Sequence, residues 1–257
     1  MSSLFGVYDH YFFATAAFFG TLATALGMFW IAQYSRYAER IQVFRGVQPA
    51  FLSVVGVLFG LNLVFMANDT WLARDRALSI VFQEAGNLRN LLQLAEALPD
   101  SSRTKLTEAV RHYVRVTRDE EWPLLTQRQA SPRAAEALQA LLSALTTPQV
   151  SQSLNSNVYG LMLGQAIQAR SARDSRIALS QTHVNPLKWL GVAFLGTITM
   201  ISLIMVHFGS PQAELAAVLL FAVSAAPTAA IVLVQGNPFQ PPAAVAVDPI
   251  AELLNKN

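Results

Sequence analysis

The chain has 257 residues, of which 53% are hydrophobic and only 13% charged, about half the ~25% typical of a soluble domain. A net charge of +2 leaves no electrostatic footprint for nucleic acid, so nucleic acid is not an expected partner. The absence of cysteine excludes disulfides, thiolate catalysis, iron–sulfur clusters and cysteine-based zinc sites.

The charge deficit is concentrated in four stretches. The N-terminus, Met1-Ser2-Ser3-Leu4-Phe5, places no basic residue before the first apolar run. That run, residues 11–33, is too long for a signal core, so a retained membrane span is expected. A loop carrying Arg36, Arg40 and Arg45 leads to a second uncharged run, residues 49–67, in which Asn62 is the strongly polar residue. The third and fourth runs cover residues 187–208 and 215–235. Roughly 20 helical residues cross a ~30 Å hydrocarbon layer, and none of the four runs shows the polar stripe of a soluble helix. Trp30, Trp71 and Trp189 fall near the ends of these runs, where an apolar ring with one polar N–H meets the headgroup layer.

Between the second and third runs about one residue in five is charged, and the leucines become periodic. Thr70 is expected to cap a helix reaching Leu98, with Leu78, Val81, Ala85, Leu88 and Leu92 on one face. Pro99-Asp100-Ser101-Ser102 interrupts it, and a serine is expected to cap the next helix, which ends near Trp122-Pro123. Ser131-Pro132 starts a third helix by a capping hydroxyl followed by a residue that needs no donor. This helix reaches Leu145 before Thr146-Thr147-Pro148, and a fourth runs from Ser153 to Thr182. The outer helices of this insert are expected to continue the second and third spans. The predicted fold is all-α, with four transmembrane helices and a helical soluble domain inserted between the second and third. Its parts are residues 1–68 (spans one and two), 69–186 (soluble domain), 187–236 (spans three and four) and 237–257 (C-terminal tail). Six basic residues flank the membrane on the insert's side (Arg74, Arg76, Arg170, Arg173, Arg176 and Lys188), against three in the first loop. This bias favours a cytoplasmic insert, although the rule weakens for inserts above ~60 residues.

Little in the chain suggests catalysis. His10, His112, His183 and His207 show no paired ligand spacing, and there is no phosphate loop or glycine-flanked nucleophile. No enzyme, cofactor or metal is predicted. Asp119-Glu120-Glu121 suits a divalent cation by composition, but consecutive residues diverge around a helix. Carboxylates at a helix C-terminus also oppose the macrodipole, so a solvated helix end compensated by an arginine is the favoured reading. Arg170, Arg173 and Arg176 form a basic stripe that either holds anions or lipid headgroups or is a salt-bridged helix face. In the second span Val54, Val57, Leu58, Leu61 and Phe65 recur at three- and four-residue steps. Such a face serves helix packing or lines a hydrophobic constriction. Asn62 beside it needs a partner or water at that depth, which argues for a homo-oligomer.

The chain resembles the bacterial and plant membrane proteins termed bestrophin-like. The residues carrying the resemblance run from Phe59-Gly60 through Phe65, then Trp71, Glu84-Ala85, Leu98-Pro99, and Tyr113 with Glu121-Trp122-Pro123. They continue with Arg173 and Arg176, Pro186 and Trp189, and Asn237-Pro238-Phe239. More distantly it is similar to bestrophins, pentameric ion channels with cytosolic termini, whose second span lines the pore. Met66 stands where bestrophins commonly carry an arginine, and their calcium-binding acidic clasp is not recognisable. The resemblance implies a pentameric, multi-pass protein of the cell inner membrane, with lipid bilayer, further copies of itself and inorganic ions as partners. It implies an ion channel, anions favoured, lined by Val57, Leu61, Asn62 and Phe65. The alternative is a non-conducting membrane scaffold whose insert binds a protein.

Overall fold

The computed structural model describes residues 3–36, 38–39, 49–181, 186–241 and 244–255, and among these every regular element is helical. In chain order they are α1 (Ser3–Tyr34), α2 (Pro49–Ala95), α3 (Asp100–Val116), a π-helical turn (Thr117–Glu121) and α4 (Trp122–Thr126). There follow α5 (Pro132–Leu145), α6 (Pro148–Ser153), α7 (Ser156–Ser180), α8 (Pro186–His207), α9 (Pro211–Val234) and α10 (Asp248–Ala251), which tightens into a 3₁₀ turn (Glu252–Leu254). Four helices are long and apolar enough to cross a membrane, within Phe12–Tyr34, Phe51–Ala95, Leu187–His207 and Pro211–Val234. The chain divides into two compact units: residues 1–71 with 183–236, and residues 72–182 with 237–257.

The first unit holds α1, the apolar part of α2, α8 and α9. Small residues carry part of its contacts, because without a hydrophobic drive helices in lipid associate by close packing. Ala25 and Ala32 of α1 are buried with Met200, Ile204 and Phe208 after them, and with Val218 and Ala222 of α9. On α2, Leu63 and Met66 bury against Val192 of α8 and Val232 of α9, flanked by Phe59 and Trp189. A Cβ at Gly196 would lie 3.2 Å from the Phe59 ring, so glycine on α8 is what lets α2 approach. Pro227 inside α9 removes one helical donor, a cost that transmembrane helices tolerate.

The second unit has a continuous apolar core. α2 contributes Ala77, Val81, Ala85, Leu88, Leu91 and Ala95, the 3–4 spacing of a buried helical face. This corrects the predicted face at its two ends: Leu78 is exposed and Leu92 only partly buried, with Ala77 and Leu91 in their places. α3 adds Leu106, Val110 and Tyr113, α5 Leu138, Leu141 and Leu145, and α7 Met162 and Ala166. The C-terminal residues Phe239, Val245, Ile250 and Leu253 complete it, so the segment read as a tail packs into this core.

Three predicted helix starts are corrected. Thr70 caps nothing: it lies within α2 and its hydroxyl donates to Ala67 O at 2.7 Å. The helix runs through the position because no proline or glycine stops it. α3 begins after Pro99 with no side-chain cap, so no serine performs that role. α7 starts at Ser156, three residues beyond the predicted position, and its cap is Asn155, which accepts from Val158 N. The Ser131-Pro132 start is present as expected, Ser131 Oγ accepting from Ala134 N, and α5 ends at Leu145. The chain stays helical past Trp122-Pro123, through the π turn. Pro123 has no N–H to donate four residues back, and the helix widens there, with Trp122 N donating to Thr117 O. The proposed continuation of the last insert helix into the third span, and Arg40 and Arg45, fall outside the described residues.

Candidate functional site

The α2 stripe comes first. After α8 and α9 have packed against one side of α2, Val57, Leu61 and Phe65 remain 61%, 49% and 64% exposed. Four-residue steps advance ~6 Å and turn about 40° beyond a full turn, so the three side chains form stacked levels on one slowly drifting face. Val54, Leu58 and Val64 extend it, also exposed. Asn62 does not join them. It is half-buried, and a Cβ at Gly191 of α8 would lie 3.3 Å from its Nδ2. The structure thus packs this amide against α8 within one chain.

At one end of α8 Lys188 is ion-paired with Asp69. A further polar contact escaped the sequence reading. Gln33 Nε2 donates to Glu214 Oε2 at 2.5 Å, and Glu214 is fully buried. The fourth apolar run was read from residue 215, but Ser210 caps α9 and the helix begins at Pro211. Glu214 therefore sits in the first turn, where the macrodipole favours a carboxylate.

The basic stripe on α7 divides. Arg170 is exposed, while Arg173 is 7% and Arg176 0% exposed. Arg176 Nε donates to Glu84 Oε2 at 2.8 Å, and its Nη2 donates to Glu84 Oε1 at 3.1 Å and Glu121 Oε2 at 3.0 Å. Arg173 Nε and Nη2 reach Glu121 at 3.1 and 2.5 Å, and Nη2 also donates to Ser131 O at 3.2 Å. Tyr113 OH donates to Glu84 Oε1. Trp122 lays its ring 5.1 Å from Arg176 Cζ, a cation–π contact. The π turn places Glu121 on the inner face, and α2, α3, α4 and α7 supply Glu84, Tyr113, Trp122 and the two arginines, so two carboxylates neutralise two guanidinium groups in a buried interior.

Burial, the largest single influence, would lower the Arg176 pKa, but the groups around it, Glu84 foremost with Glu121 beside it, together outweigh burial and lift the guanidinium above its ordinary value. Burial, and then the Glu84 charge, push the Tyr113 phenol well above its usual range. Arg173 and Arg176 are thus a salt-bridged face. Arg118 pairs with Asp119 and Arg133 with Glu120, so each member of the acidic trio has an arginine, but Glu121 is buried and the chain stays helical beyond it, which corrects the expected solvated helix end. Among the described residues no group of three or more metal-ligating side chains converges.

Beside this cluster Trp122 packs edge-on against Phe239 at 5.5 Å, and its Nε1 donates to Val245 O. Asn237 Nδ2 donates to Leu125 O, while its Oδ1 accepts from Phe239 N. Glu121-Trp122-Pro123 and Asn237-Pro238-Phe239, more than a hundred residues apart in sequence, thus meet in one place.

The bestrophin-like domain model matches residues 19–250. The chain belongs to the bestrophin-like family. No curated protein sequence matches it. Its fold is similar to crystal structures of a bacterial bestrophin homologue from Klebsiella pneumoniae. One, determined by zinc phasing, has a TM-score of 0.61 at 15% identity, covering 93% of this chain and 94% of that one. Two variant structures of the same homologue give 0.65 at 15% identity, covering 94% and 95%, and 0.63 at 14%, covering 93% and 96%. At such identity the likeness establishes the fold: this bestrophin-like chain is an all-helical membrane protein.

Proposed function

We propose that this bestrophin-like chain assembles as a homo-oligomer, a pentamer, whose second spans surround a hydrophobic neck that passes inorganic ions, anions in preference. The reading rests on one observation. Val57, Leu61 and Phe65 stay uncovered on the side of α2 away from α8 and α9. Repeated around an axis, each level becomes an apolar collar in which an ion loses hydration without gaining ligands, a barrier that opens by widening or wetting. The anion preference is supported by the charge pattern. No acid occurs on residues 49–68, and the first beyond them, Asp69, is ion-paired with Lys188. Residues 69–186 form a helical soluble domain on the cytoplasmic side of the inner membrane, as the basic flanks suggest.

The test is reconstitution of the purified chain in lipid vesicles, with light scattering for assembly and halide flux for conduction. Vesicles that hold a defined oligomer and pass chloride faster than potassium are the expected result. An assembled oligomer that passes neither ion overturns the channel and leaves the scaffold reading.

A further inference from the structure

A pocket of about 350 Å³ lies in the second unit between α5 and α7, a size within the range of small-molecule sites. Ala135, Leu138, Gln139 and Leu142 line it from α5 at three- and four-residue steps, so they share one helical face. Leu138 is buried and Leu142 half-buried, which gives the pocket an apolar wall. Arg173 reaches it from α7 with its charge already met by Glu121.

Three further charges line the pocket and are not met. Glu136 of α5, and Arg170 and Asp174 of α7, have no ion pair or side-chain hydrogen bond among the described residues. Arg170 and Asp174 stand one helical turn apart without closing on each other. With the cation on the N-terminal side, theirs is the weaker order for such a pair. Two carboxylates and one guanidinium therefore border a shared space with their charges unspent. The complement of that set is a molecule with two cationic groups and one carboxylate. Its carboxylate can take both arms of the Arg170 guanidinium. An ammonium carries three donors and no acceptor, which suits a carboxylate such as Asp174 or Glu136. An apolar stem between the two ends packs along Leu138 and Leu142, as long charged side chains do on protein surfaces.

We propose that this pocket binds a free cationic α-amino acid. The carboxylate and the α-ammonium share one carbon, so they engage Arg170 and Asp174, neighbours on α7. The side-chain cation reaches across to Glu136 on α5. A simple anion or a simple amine is a poorer guest, because each leaves wall charge of its own sign beside it. The site lies within the second unit and does not depend on ion conduction.

The test is isothermal titration of the full chain in detergent with L-lysine, whose charged groups are then removed one at a time. Norleucine lacks the ε-ammonium, 1,5-diaminopentane the carboxylate and 6-aminohexanoate the α-ammonium. Each should bind about tenfold more weakly than lysine or worse, the weight of one hydrogen bond between charged groups. Glu136→Gln should bring lysine down to the affinity of norleucine and leave norleucine unchanged. Arg170→Gln should do the same for lysine and 1,5-diaminopentane, and Asp174→Asn for lysine and 6-aminohexanoate. The retained binding of the matching analogue shows that each variant is still folded. Absence of lysine binding at millimolar concentration overturns the proposal. So does 1,5-diaminopentane binding as tightly as lysine, or lysine binding that Arg170→Gln and Glu136→Gln leave unchanged.

Discussion

The two units of this protein treat large apolar side chains in opposite ways. In the first, Phe12, Phe19, Val57, Phe65, Leu187, Leu190 and Leu220 all lie outside, while alanines share the contacts with a few larger residues such as Met66, Met200, Ile204 and Phe208. In the second, Leu88, Leu91, Leu106, Leu125, Leu141 and Leu145 are sealed within, and the charged side chains other than Glu84, Glu121, Arg173 and Arg176 reach the surface. The contrast follows from the solvent. Where lipid surrounds a helix, exposing a phenylalanine costs nothing and small residues let backbones approach. Where water surrounds it, burying leucine is worth about 1.5–3 kcal/mol. An ion cluster inside the second kind of interior is then costly unless every charge is met.

That cluster offers the largest way to sharpen the comparison. Arg176→Ala removes the arginine that Glu84 and Glu121 share and leaves buried carboxylates short of compensation. A loss of about 3–5 kcal/mol is expected, read as reduced thermal stability and early proteolysis within residues 72–182. Arg170→Ala, at an exposed position of the same helix, should change stability by less than about 0.5 kcal/mol. Equal effects of the two substitutions would mean that the buried cluster is not what holds this unit.

A smaller effect is expected from Tyr113. Its folded pKa is raised above the ordinary value of 10.0, so the folded state keeps a proton that the unfolded chain gives up. Its contribution is complete below that value and is lost as pH rises towards the folded pKa. The melting temperature should therefore fall above about pH 10, and Tyr113→Phe should flatten that decline. An unchanged slope in the variant would place the alkaline sensitivity elsewhere.

How much of this was legible in the sequence depended on the range of each interaction. The apolar runs stand out because desolvating charge is expensive at every position along them, and Ser131-Pro132 works within four residues. Thr70 misled because a good capping residue also sits comfortably inside a helix, its hydroxyl turned back on a carbonyl. The basic stripe was half legible. A three-residue step turns a helix about 60° short of a full turn, so over six residues the row drifts by ~120° and Arg170 leaves the face that Arg173 and Arg176 keep. Which acids they meet could not be read, because Glu84 and Glu121 lie 92 and 55 residues from Arg176. The family residues Glu84, Tyr113, Trp122 and Phe239 named the right positions without their geometry. Asn62 is the converse case: the sequence marked it as a polar residue in need of a partner, and only packing against Gly191 told which helix it faces.

If the uncovered face of α2 forms an ion-restricting neck, it is read out by chloride flux through vesicles holding the Leu61→Ala, Phe65→Ala double variant. Both side chains are exposed in the single chain, so their truncation opens no cavity within the first unit. If they are collars, flux should rise about tenfold or more, since removing ~1.4 kcal/mol of barrier already gives that factor, and light scattering should report an unchanged oligomer. Flux that stays at the level of protein-free vesicles, in a variant shown to be assembled like the native chain, would contradict the account.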